Sequence, residues 1–147
     1  MDCLRWLSRM SQNRLLFIAG LLGMTGVVLG AFGAHALQEP LLHRQTANLW
    51  QTAVFYHLIH TVGLLALGGR KTVDPGRLPS KAAAAAYCWI GGIILFSGSL
   101  YGLALGAPGR LGPLTPMGGL LFLTGWVLVM IDAVTNRPGP RSSDRDR

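Results

Sequence analysis

Four long apolar runs alternate with short polar stretches. They cover about residues 15–34, 49–67, 82–105 and 114–134. Each is close to the roughly 20 residues that cross a ~30 Å hydrocarbon core at 1.5 Å per residue. None alternates apolar and polar at period two, as a barrel strand would, and lipid cannot satisfy bare backbone groups, so helices are required. The pattern predicts an all-α, polytopic membrane protein, a bundle of four transmembrane helices. The membrane domain spans 13–136, preceded by a basic segment 1–12 and followed by a basic tail 137–147 expected to be disordered. In "MDCLRWLSRMSQ" Leu4, Leu7 and Met10 share a helical face opposite Arg5 and Arg9, a candidate interfacial helix.

The lysines and arginines orient this arrangement. Three precede the first run, four lie between the second and third, and four follow the fourth; the two other loops hold one each, Arg44 and Arg110. Eleven against two places both termini in the cytoplasm by the positive-inside rule. Arg5, Arg9 and Arg14 ahead of an apolar run ending in "AHA" imitate a signal peptide. The run is longer than a usual h-region, and it is read as a retained first helix.

Composition agrees with that picture. Of 147 residues, 50% are hydrophobic and 13% charged, about half the charge of an ordinary soluble domain. The net charge of +7 lies beside the apolar runs rather than in a stripe interleaved with aromatics. It points to lipid headgroups as partners, with self-association or another membrane subunit open, and not to nucleic acid. Cys3 and Cys88 form no Cys-x-x-Cys or disulfide pattern.

Glycines mark expected helix contacts, since apolar burial does not drive helices together in lipid and close approach at small residues does. Gly26, Gly30 and Gly33, with Gly23, form one stripe in the first run. Gly98, Gly102 and Gly106 form two G-x-x-x-G steps in and just after the third.

Two histidines lie inside the second run, "WQTAVFYHLIHTVGLLAL". His57 is about 12 Å from the outer edge, and His60 is one turn deeper. Thr52, Tyr56, His60 and Gly63 form one helical stripe, with His57 beside it. Ionisable groups in lipid need partners, so this stripe is expected to face the bundle. Three readings compete. In the first, neutral imidazoles form a structural seam with Ser97, Ser99, Tyr101 or Thr124, with His60 bound to the Ser97–Tyr101 segment and His57 the less critical ring. In the second, His57 and His60 carry protons or a small solute, although no carboxylate lies at mid-membrane. The third is a haem or metal site, for which two histidines on one helix are a partial set, with His35 far away in depth. Asp132, the one acid within a run, is expected to pair near the cytoplasmic end with Arg14, Arg70, Lys71 or Arg137. No G-x-S-x-G, H-E-x-x-H, phosphate loop or paired carboxylates appear, so the chain reads as no enzyme, with no cofactor or metal assigned.

"GAFGAHAL" (30–37), "WQTAVFYHLIH" (50–60), "FSGSLYGLAL" (96–105) and "LTPMGGLLFLTGW" (114–126) together resemble the domain-of-unknown-function 423 family, similar to transmembrane protein 256. The resemblance covers about 13–134. It implies a small four-helix membrane protein, bacterial inner-membrane or eukaryotic membrane-associated, with no catalytic residues to carry over. Matching recurrent positions are Gly30, Gly33, His35, Tyr56, His60, Ser97, Gly98, Ser99, Tyr101, Thr115, Pro116, Gly118, Gly119 and Trp126. His57 is less typical of the family.

Overall fold

A computed structural model describes residues 10–70, 72 and 76–135. The candidate interfacial helix and the basic tail lie outside them, apart from Met10 to Gln12. The described residues form helices and turns without a strand. They are α1 (Gln12–Ala34), the short α2 (Gln38–His43), α3 (Ala47–Gly69), α4 (Ser80–Gly92), α5 (Gly98–Ala104) and α6 (Leu114–Thr135). A π-helical turn, Ile93–Ser97, joins α4 to α5 in one continuous third span, Ser80–Ala104. Four helices are therefore long and apolar enough to cross a membrane, within five residues of the sequence boundaries.

α1 packs chiefly on α3 and α4 chiefly on α6, while α3 also meets the third span along its length. The second and third spans thus sit centrally and the first and fourth flank them. Half of the third span's most apolar window is buried, against 17% for the first span. On the flanks Phe17, Met24, Val27, Leu120, Leu123 and Val134 are exposed, as expected of side chains that face lipid rather than water.

The Arg70 end of the bundle is filled by small and branched residues: Leu15, Ala19, Leu64, Leu67 and the alanines 82, 83, 85 and 86 form one buried cluster. Alanine there lets α4 approach its neighbours closely. Gln12 ties the ends together. Its side-chain amide donates to the Gly68 carbonyl at 3.2 Å and the Arg70 carbonyl at 2.7 Å, and the Gly76 amide donates to its Oε1 at 3.0 Å. Lys81 Nζ donates to Thr135 Oγ1 at 2.9 Å. At the opposite end Leu41, Trp50 and Ala104 form a smaller cluster, closed by Thr46 Oγ1 donating to the Ala104 carbonyl at 2.9 Å.

The glycine stripes divide. Gly26, Gly30 and Gly33 all face α3, where a Cβ would meet Leu58, Val54 and the Trp50 indole respectively. Trp50 secures that contact by donating its Nε1–H to the Leu29 carbonyl at 3.0 Å. The third-span stripe does not act as expected. Nothing lies within 4 Å of a Cβ on Gly98, and Gly102 meets Leu111 and Ala107 of its own hairpin. Gly106 lies past the helix, at φ +93°. Its amide donates to the Leu103 carbonyl at 3.0 Å and that of Ala107 to Gly102 at 2.9 Å, a Schellman cap that needs a left-handed residue at this position. Within the chain, Gly98, Gly102 and Gly106 therefore do not form one interhelical stripe. The third-span contacts fall instead on Gly91, against Leu121, and Gly92, against Phe122.

Candidate functional site

His60 sits at the centre of an aromatic compartment between α3, α4 and α6. Its ring stacks on Phe122 with centroids 3.6 Å apart and planes at 8°. Trp89 meets it edge-on at 5.9 Å and Tyr56 lies parallel at 6.0 Å. Both ring nitrogens are engaged. Nδ1 is 2.9 Å from the Tyr56 carbonyl, one turn back on the same helix. Trp126 Nε1–H donates to Nε2 at 3.2 Å. An indole can only donate, so Nε2 must accept and Nδ1 must carry the proton. The surroundings select one neutral tautomer; a second proton would face the Trp126 N–H directly. Trp89 wedges in beside it between Gly63 and Gly125, where any Cβ would strike its ring, and its Nε1 donates to the Phe122 carbonyl at 3.3 Å.

This corrects the expected partner of His60. The interhelical bond comes from Trp126 on the fourth span, not from the Ser97–Tyr101 segment. The π turn explains why. Gly118 brings α6 onto the backbone of Phe96 inside that turn, and Phe96 then packs on Tyr56 and Phe122, with centroids at 4.7 and 5.5 Å. The third span therefore presents rings, not hydroxyls, toward the His60 compartment.

His57 points elsewhere, toward α1 and α5. The Tyr101 hydroxyl lies 3.4 Å from its Nδ1, and the Tyr101 ring in turn packs edge-on against Trp50 at 4.8 Å. The Leu22 carbonyl of α1 faces the His57 ring, yet Nε2 has no hydrogen bond of proper geometry. Ser97 Oγ, fully buried in the π turn, is likewise without a partner, and these are the two such buried side-chain atoms among the described residues. Ser97 shares a helical stripe with Tyr101 one turn away. So it is His57, the ring expected to matter less, that meets the third-span hydroxyl.

The other expected members of the seam are scattered. Thr52 is exposed and donates to the Asn48 carbonyl of its own helix. Thr124 does the same to Leu120. Ser99 is buried but faces the start of α6, 2.7 Å from Thr115 Oγ1. Asp132, 1% exposed, pairs with Arg70, one of the four cations expected for it, at the opposite end from His35. Among the described residues no three His, Cys, Asp or Glu side chains converge as a metal site would need. Trp89, Phe122 and Trp126 were missed from the sequence as partners. The available signal was chemical: an indole N–H inside an apolar span must find an acceptor, and imidazole is one of few side chains there that accepts.

Fold and site define an α-helical membrane protein of four spans with a histidine-bearing central helix. A family model described as "Protein of unknown function (DUF423)" matches residues 29–119, and the chain belongs to that family. A UPF0382 membrane protein of Staphylococcus epidermidis is 37% identical over 116 residues, covering 79% of this chain and 91% of the relative. The UPF0382 membrane protein YwdK of Bacillus subtilis is 35% identical over 111 residues, covering 76% and 88%. One from Schizosaccharomyces pombe is 34% identical over 119 residues, covering 78% and 96%. No solved structure matches the chain.

Proposed function

We propose that the protein is a structural or accessory component of the cell inner membrane, without catalytic activity. Both termini lie on the cytoplasmic side, and lipid, a second copy or another membrane subunit are its neighbours. The observation that carries the reading is His60. Both of its nitrogens are spent within the protein and its ring is clamped by Phe122. It has no lone pair to offer a metal, and no proton can join it without expelling Trp126. His60 thus serves as a joint between the second and fourth spans. The eleven-to-two distribution of basic residues supports the orientation.

A second reading, transport of protons or a small solute, draws support from His57 Nε2 and Ser97 Oγ, buried without partners near the α3–α5 contact. Reconstitution of the full chain in vesicles under a pH gradient separates the two. The structural reading expects the gradient to decay no faster than in empty vesicles. A leak that His57→Leu abolishes would replace it with transport. Reporter fusions at Ser143 and in the 38–48 loop test the orientation, and an externally active fusion at Ser143 would reverse it.

A further inference from the structure

At the end of the bundle away from Arg70, α1 and α3 part on one side beneath α2. They leave an apolar groove of about 580 Å³. Gly30 and Gly33 of α1, Leu42 of α2 and Leu58 of α3 are among the residues that line it. From Ala47 to Leu58 it follows α3 for about 16 Å, close to the ~15 Å depth of one hydrocarbon leaflet. At Leu42 the groove adjoins a second depression lined by Glu39, His43 and Arg44. The Arg44 guanidinium rests over Gly106, which has no side chain to displace it. Glu39 and Arg44 line the same depression, yet neither has an ion-pair partner among the described residues.

We propose that this groove binds one phospholipid, with an acyl chain along α3 and a zwitterionic, ethanolamine-type headgroup at its mouth. Arg44 takes the phosphate, as a guanidinium does well. Glu39 takes the ammonium, whose N–H groups can donate to a carboxylate where a quaternary choline cannot. An opposite pair of charges that face one depression without joining fits a zwitterion better than an anion. The bilayer supplies the occupant, since the groove opens sideways among exposed apolar side chains such as Phe55 and Leu42.

Native mass spectrometry of the full chain in mild detergent tests this with dioleoyl phosphatidylethanolamine, phosphatidylglycerol and phosphatidylcholine. Phosphatidylethanolamine should remain bound preferentially. Glu39→Gln should lower its preference over phosphatidylglycerol by roughly two- to five-fold, the range of an exposed ion pair. Arg44→Gln should weaken all three. Both positions are exposed, so neither change threatens the fold. Ala34→Phe, filling the groove from α1, should remove the adduct, and Gln51→Trp, filling it from α3, should do the same. Equal lipid occupancy in wild type and both filled variants would overturn the proposal. So would a preference indifferent to Glu39→Gln, or a dimer mass that the filled variants abolish, which would assign the groove to a second copy.

Discussion

The two sides of α3 carry adjacent histidines in opposite circumstances. Toward α4 and α6, His60 lies among Phe122, Trp89, Tyr56 and Trp126, with every polar atom of its ring matched. Toward α1 and α5, His57 has one long contact with Tyr101 and an unmatched Nε2. The rings are three residues apart, about one helical turn, so burial alone does not separate them. What differs is the neighbour. On one side large aromatics interlock with glycines cut to receive them; on the other, glycines of α1 bring a backbone close whose Leu22 carbonyl faces the ring without forming a hydrogen bond of proper geometry. Unmatched polar groups cost more in a water-poor interior than matched ones return, so the His60 side is expected to stabilise and the His57 side merely to be tolerated.

The strongest test removes the wedge on the His60 side. Trp89→Ala should cost about 3–5 kcal/mol, the range for emptying a large aromatic site. It would show as a sharp fall in the detergent concentration or temperature at which the helices unfold. A loss below about 1 kcal/mol would mean the aromatic compartment collapses freely and the contrast is false.

Glycine substitution comes next and contrasts two stripes that look alike in sequence. Gly33→Leu, which strikes the Trp50 indole, should destabilise by about 1–3 kcal/mol through overpacking. Gly98→Leu, entering open space, should accumulate and melt like the unaltered protein. If Gly98→Leu were the damaging one, that face would be a contact with a second copy.

A direct comparison of the rings follows. His60→Leu leaves the Trp126 N–H without its acceptor and should cost about 0.6–1.7 kcal/mol, the span measured for membrane hydrogen bonds. His57→Leu removes an unmatched nitrogen together with the long 3.4 Å contact to the Tyr101 hydroxyl, and should cost less than His60→Leu. Thermal unfolding monitored by tryptophan fluorescence reads both, and a larger loss at His57 would invert the assignment. The smallest expected effect is at Gln45, a non-glycine at φ +58° in the Schellman cap of α2. Gln45→Gly should stabilise by a few tenths of a kcal/mol up to about 1, and a loss would mean that the cap is not strained.

The hydrophobic pattern by itself determined four helices and their limits, because a bilayer offers no water to unpaired backbone and allows little besides a helix of about 20 apolar residues. It also placed Asp132 near basic residues, since a lone carboxylate at a membrane boundary has few other partners. Pairing between spans was beyond it. Small-residue spacing says that a face can approach closely, not what approaches: Gly26, Gly30 and Gly33 met α3, Gly98 met nothing, and Gly106 served a turn. The partner of His60 was decided by the π turn at Ile93–Ser97 and by Gly118, which together rotate Phe96 inward and bring α6 within reach. A rotation of one span about its own axis exchanges which side chains meet while leaving every local pattern unchanged, and only the packing of all four helices fixes it.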